Sequence, residues 1–222
     1  MTNTLECPIV VLLGGGVEST SLVSRFLDQQ RRVVPVHVHC GLIWDDVETL
    51  FVQRFCETQA TDKLDPLIQF RIPLAGWLDD HWAVTGNNTP RAGASGHDLE
   101  IPLRNLTLLS FALPKVAHLP DFQCALGTTA DNSYRDGSRE YFDRSQELLS
   151  LEAGRPIEIL TPYLQMTKTD VIRVTDHDTL AYSFSCIDPR DNQHCGRCIK
   201  CGSRQQAFIA AGIDDPTVYA DA

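Results

Sequence analysis

Hydrophobic positions along this chain alternate between two periods. Residues 9–13 form a short, largely β-branched apolar run that breaks into Gly14, Gly15 and Gly16, and residues 21–27 then carry apolar side chains at helical spacing. The pattern predicts strand, tight loop, helix. Residues 33–39 place Val34, Val36 and Val38 on one face of a second strand, residues 47–55 follow as a helix, and residues 67–72 fit a third strand. Residues 103–113 read as a strongly apolar helix, with Pro114 marking its end or a kink. Residues 122–126 form a strand that stops at Gly127, and residues 139–153 a helix. The remaining chain predicts a strand at 157–160, a helix near 168–175 and a last helix from about 203 to 211, ended by Gly212.

Strands and helices alternating at these separations call for right-handed crossovers and a parallel sheet covered on both faces. The expected fold class is therefore α/β, a doubly wound parallel sheet. Residues 84–97 are rich in Gly, Asn, Thr and Ser without periodicity, so they read as a long loop and a candidate lid.

Composition narrows the class. At 222 residues, 43% hydrophobic and 22% charged, the chain suits one ordinary globular domain with a small appendage. A net charge of −10, from 29 acidic and 19 basic residues, works against broad nucleic-acid binding, so an anionic substrate needs a local basic pocket. No apolar stretch approaches the ~20 residues of a membrane helix, and no basic region precedes an apolar one near the N-terminus. A cytoplasmic setting is expected, with Cys7, Cys40, Cys56 and Cys124 as isolated reduced thiols. His37, His39 and His81 lie in or near strands and are expected to be packed or hydrogen-bonded.

Two motifs carry chemistry. In V-L-L-G-G-G-V-E-S-T-S-L a strand delivers three glycines to a helix start, where backbone N–H groups approach an anion with no Cβ in the way. Ser19 and Thr20 add hydroxyls, and Glu18 either caps the turn or sits beside a phosphate-bound metal ion. The spacing matches neither G-x-x-x-x-G-K-[ST] nor G-x-G-x-x-G. The second motif is Cys186, Cys195, Cys198 and Cys201, whose C-x8-C-x2-C-x2-C spacing brings four thiolates around a tetrahedral metal. Structural zinc is the expected occupant and an iron–sulfur cluster the alternative. His194, directly before Cys195, is a candidate to replace one thiolate as ligand, with a place beside the metal or at the surface the main expectation.

With G-G-G-V-E-S-T from Gly14, I-P-L-R-N-L-T-L-L-S around Arg104, A-L-G-T-T-A-D-N-S-Y, T-P-Y-L-Q-M-T-K-T-D-V-I with Lys168, and H-C-G-R-C-I-K-C-G-S-R-Q-Q-A-F, the chain resembles the 7-cyano-7-deazaguanine synthase family of PP-loop ATP pyrophosphatases. The resemblance spans nearly the whole length. It implies residues 1–180 as a PP-loop ATP-binding domain, with residues 181–222 as a zinc-binding segment and terminal helix packed on it. It further implies ATP and Mg²⁺ beside Zn²⁺, a small-molecule acid and ammonia as reactants, and a homodimer.

The nucleotide cradle implied is Leu13, Gly14, Gly15, Gly16, Val17, Glu18, Ser19, Thr20 and Ser21. Glu18, Ser19, Arg104 and Lys168 carry the chemistry by this resemblance, and Asn105, Asp136 and Arg139 face the substrate. The chain departs from the family pattern at Gly14, where the family has serine, and at Glu18, where it has aspartate. It departs again at Phe55, where the family's glutamine-arginine-histidine segment ends in histidine, and at Arg135 to Ser138 before Arg139, both bearing on the substrate. A related acid, a different acceptor or a nucleotide binder without activity are the other readings. A tRNA-thiolating relative would rely on Cys124.

Overall fold

The computed structural model describes residues 7–220. Five strands, β1 (Ile9–Leu12), β2 (Val33–His39), β3 (Ile68–Arg71), β4 (Gln123–Ala125) and β5 (Glu158–Leu160), form one parallel sheet in the order β3-β2-β1-β4-β5. The doubly wound expectation holds. β1 lies at the centre, with Ile9 opposite Val33 on one side and Gln123 on the other.

Eight α-helices complete the described chain: α1 (Val17–Asp28), α2 (Asp45–Thr58), α3 (Trp82–Thr85), α4 (Arg104–Ala112), α5 (Arg139–Ala153), α6 (Lys168–Val174), α7 (His177–Ala181) and α8 (Ile199–Ala211). The period-two alternation of β1 assigns its faces. Ile9 and Val11 pack with Leu22, Phe26, Val171, Ile172 and Phe208, the layer of α1, α6 and α8. Val10 packs with Leu109, Val116 and Phe142, the layer of α4 and α5. Both layers exclude water from the central strand, so its side chains are wholly apolar. A third cluster joins Leu42, Trp44, Ile72 and Phe184 to the four clustered cysteines beyond the sheet's carboxyl edge.

Helix boundaries shift where the first turn serves something other than the core. α1 begins at Val17 rather than 21, because Glu18 and Ser19 line a cleft and interrupt the apolar period. α4 begins at Arg104 behind Leu103, whose φ of 57° is left-handed, and a 3-10 turn over Leu113–Val116 takes over at Pro114. α8 begins at Ile199 rather than 203, with Cys198 as its N-cap.

The loop over residues 84–97 is stitched to the cysteine segment. Ala92 N–H donates to Arg197 O at 3.0 Å, Ile199 N–H donates to Pro90 O at 3.0 Å, and Arg91 pairs with Asp188 at 2.8 Å. No helix among the described residues is long and apolar enough to cross a membrane.

Candidate active site and metal centre

β1 and β4 are neighbours, but the chain leaves β1 toward β2 and leaves β4 toward β5. Loops that diverge this way leave a crevice at the strands' carboxyl ends, the usual ligand position in open α/β sheets. A cleft of about 530 Å³ lies there, within the range of small-molecule sites. The glycine loop, the segment from Gly127 to Asp136, the start of α4, Lys168 and the cysteine segment all contribute to its wall.

Two glycines are forced by the geometry. Gly15 has φ +73°, and a Cβ there would meet Val52 Cγ2 at 3.2 Å. Its carbonyl accepts from Phe184 N–H at 2.7 Å, which ties the glycine loop to the cysteine segment. Gly127 lets β4 approach the first turn of α1: a Cβ there would lie 2.8 Å from Glu18 Cβ and 2.9 Å from Ser19 N.

The nine cradle residues divide. Leu13, Gly14, Gly16, Glu18 and Ser19 line the cleft, whereas Gly15, Val17, Thr20 and Ser21 do not. Thr20 Oγ1 donates back to Gly16 O at 3.0 Å, closing the first turn. Ser21 Oγ shares hydrogen bonds with Tyr163 and Thr175 at 2.8 and 2.6 Å, inside the helix layer. Ser19 Oγ donates to Gly16 O at 3.2 Å at the cleft wall.

Glu18 and Lys168, 150 positions apart in sequence, form an ion pair in the cleft. Burial works against ionising Glu18, but the nearby Lys168 charge and its hydrogen bond outweigh it and hold the carboxyl below its ordinary value. The backbone N–H of Lys168 donates to Asp131 Oδ2 at 2.6 Å, seating the start of α6 against the loop after β4. Arg104 enters the cleft from the start of α4, and its buried Nε has no hydrogen-bond partner.

Asn105 Nδ2 donates to Asp136 O at 3.1 Å, and both residues line the cleft. Burial pushes the Asp136 carboxyl up. Arg139 is elsewhere: it faces Asp143 at 3.9 Å on the outer side of α5, 57% exposed, because the helix turns that position to solvent. Its expected place against substrate has no geometric support.

The histidines are packed, as expected. His37 bonds Leu13 O and Thr49, both at 2.9 Å, His39 bonds Asp46 at 2.9 Å, and His81 caps α3 by accepting from Ala83 N–H. Cys124 is fully buried in β4 and its thiol is pushed up to about 12 by burial, so it is not poised as a nucleophile.

The cysteine segment fits a metal. The four Sγ atoms lie within 4.8 Å of one another, with Cys186–Cys198 at 3.9 Å and Cys195–Cys201 at 4.0 Å. A tetrahedral zinc with ~2.3 Å bonds requires sulfur separations of about 3.8 Å. Backbone N–H groups of Asp188, Cys195, Cys198 and Cys201 point at these sulfurs at 3.3–3.4 Å, which favours thiolate. His194 supplies no ligand. It is buried and its Nε2 accepts from Ser185 N–H at 3.0 Å, a neutral role that suits a ring lowered by burial to about 3.

A family model described as "Queuosine biosynthesis protein QueC" matches residues 8–212. The chain belongs to the QueC family. The 7-cyano-7-deazaguanine synthase of Saccharophagus degradans is 29% identical over 225 residues, covering 96% of this chain and 97% of that one. The protein of that name from Pyrococcus furiosus is 25% identical over 230 residues, with coverage of 95% and 96%. The one from Anaeromyxobacter sp. is 35% identical over 128 residues, so the match spans about half of each chain, 54% and 55%.

Both loop positions that depart from the expected pattern make a defined local contact. A Cβ at Gly14 would lie 3.3 Å from Glu48 Oε1, so a buried carboxyl of α2 already occupies the space beside that position. At position 18 the carboxylate of the glutamate side chain reaches Lys168.

Several cleft residues went unread in the sequence. Glu48, Ser185 and Lys200 all line the cleft. Glu48 looks like an ordinary first-turn acid of an amphipathic helix. Ser185 and Lys200 flank the clustered cysteines, whose spacing is the dominant signal of that segment. Their adjacency to Cys186 and Cys201 was the usable signal, since a metal site fixes its neighbours as firmly as its ligands.

Proposed function

We propose that this chain is an ATP-dependent carbon–nitrogen ligase that activates the carboxylate of 7-carboxy-7-deazaguanine for attack by ammonia, giving the amide and, after a second activation, the nitrile. The observation that carries this reading is the convergence of a glycine loop, Lys168 and Arg104 on one switch-point cleft. Family membership supports the substrate class.

A carboxylate is a poor electrophile because its charge repels a nucleophile and its oxygen leaves badly. ATP supplies the phosphoryl group that makes that oxygen a leaving group, with Mg²⁺ offsetting the phosphate charge. The chain's own residues bind and orient. Gly14, Gly16 and Ser19 offer an uncrowded loop to phosphate oxygens. Lys168 and Arg104 balance negative charge, and Glu18 holds Lys168 in place. The stacked rings of Trp44 and Trp82, 5.7 Å apart, give the cleft an apolar wall suited to a flat heterocycle. The Asn105–Asp136 pair lies on the cleft as a polar edge for it. Cys186, Cys195, Cys198 and Cys201 would hold zinc as a structural staple with no open position.

Purified protein incubated with Mg-ATP, ammonium and 7-carboxy-7-deazaguanine is expected to yield the amide, the nitrile and AMP by mass. Absence of acid-dependent ATP consumption refutes the reading. A second reading, activation of a related acid, stands if ATP is consumed only with a different acid. Lys168→Met is expected to lower the rate on the order of 10²-fold or more, the scale of removing one charge-stabilising group.

A further inference from the structure

Three hydrogen-bond donors in this cleft have no partner in the protein. Among the described residues the Lys200 ammonium makes no hydrogen bond and no ion pair, although the residue is half-buried in the cleft wall. Ser185 Oγ is buried without a partner, and so is Arg104 Nε. The other lysine of the wall, Lys168, already has Glu18 as an ion-pair partner. Buried donors left unsatisfied cost free energy, so their concentration in one cleft indicates a missing acceptor.

We propose that Lys200 and Ser185, with Arg104, form an oxyanion-binding subsite carried by the metal segment. The ligand class is a phosphoryl group or a carboxylate, both of which present several acceptor oxygens to convergent donors. The proposal deepens the ligase reading and rests on it for the choice of ligands.

The positions of these residues follow from the metal ligands. Lys200 lies between Cys198, which caps α8, and Cys201, whose N–H donates to Cys198 Sγ at 3.4 Å. Ser185 precedes Cys186, and its own N–H is fixed by His194 Nε2 at 3.0 Å. Four-coordinate binding would therefore hold both ends of the subsite at once.

The test uses the metal-loaded protein, with Lys200→Met, Lys200→Arg and Ser185→Ala variants. Calorimetric affinities are measured for Mg-ATP, 7-carboxy-7-deazaguanine and inorganic pyrophosphate, alongside metal content and thermal midpoint. Lys200→Met is expected to weaken at least one of these anions by about ten- to hundredfold, the range for a hydrogen bond to a charged group. Metal content and midpoint stay at wild-type values, and Lys200→Arg returns affinity to within about threefold. A loss confined to ATP and pyrophosphate assigns the subsite to phosphoryl oxygens, and a loss confined to the acid assigns it to the carboxylate. Unchanged affinity for all three overturns the proposal. So does loss of metal in both Lys200 variants, which makes the residue structural. If wild type binds neither ATP nor the acid, the ligase reading fails separately, and pyrophosphate alone decides the subsite: no binding, or equal binding by Lys200→Met, overturns it.

Discussion

Replacing Gly127 by alanine tests the closest approach in the site. The added Cβ would sit 2.8 Å from Glu18 Cβ, 2.9 Å from the Glu18 carbonyl carbon and 2.9 Å from Ser19 N. Two of those atoms are backbone, so no rotamer change relieves the contact. Carbon atoms pack favourably at about 3.5–4.0 Å, so β4 and α1 must separate by something approaching 1 Å. Overpacking of this kind costs about 1–3 kcal/mol, and the entropy lost by the unfolded chain when glycine becomes alanine returns about 0.4–1 kcal/mol. A net loss of about 1–2 kcal/mol lowers the thermal midpoint by about 2–8 °C for a chain of this size. The same separation moves Glu18 and Ser19 away from Thr128 and Thr129, so ATP affinity is expected to fall about tenfold. Gly76 is the control: a Cβ there meets nothing within 4 Å and its φ is not left-handed, so Gly76→Ala is expected to leave the midpoint level or raise it slightly. Calorimetry and urea titration of both variants settle the matter. If Gly127→Ala is as stable as Gly76→Ala, the close approach of β4 to α1 has been misjudged.

Three other perturbations follow from the site. Burial, reinforced by Asp45 and only partly offset by Arg104 and Trp44, pushes Glu48 up to about 8 from its ordinary 4.5. The folded state then holds a proton that the unfolded state has lost, so this contribution is full below 4.5 and disappears as pH rises through about 8. Glu48→Gln should match wild type near pH 5 and exceed it in urea midpoint near pH 9; an equal difference at both pH values contradicts this. Cys198→Ser should lose the metal by elemental analysis and raise amide hydrogen exchange across residues 89–92 and 184–201, with β1 and β2 still protected. Protection retained at 89–92 would show that the loop does not depend on the metal segment. Gly14→Ser combined with Glu18→Asp should crowd Glu48 and shorten the arm toward Lys168, and acid-dependent ATP turnover should fall; a gain would show a decayed loop.

The sheet was legible because β1 writes itself as uninterrupted isoleucine, valine and leucine, and β2 keeps valine at Val34, Val36 and Val38 on one face despite Pro35, His37 and His39. The cysteine site was legible because ligand spacing is set by turn geometry. Helix starts were not: α1 and α8 each spend their first turn on the cleft or the cysteine cluster, where apolar periodicity has no reason to appear. Lys200 looked like one more charge in a mixed surface segment, since sequence order does not show that its neighbours Cys198 and Cys201 aim it inward. Arg139 lies outside the cleft, where helix phase turns it to solvent opposite Asp143. The Glu18–Lys168 pair joins the two ends of the α/β layer and no local pattern announces it.

The hydrogen bond from Phe184 N–H to Gly15 O has a consequence for timing. The glycine loop belongs to the first crossover to leave the ribosome, yet its partner emerges only after the strands are all made. The sheet and its early helices can pair in order of synthesis, while the loop waits with that carbonyl unanswered. A nascent chain arrested before residue 184 should therefore carry a formed β1–β2 pair and no competent cleft, so ligand capture would report the last event of maturation.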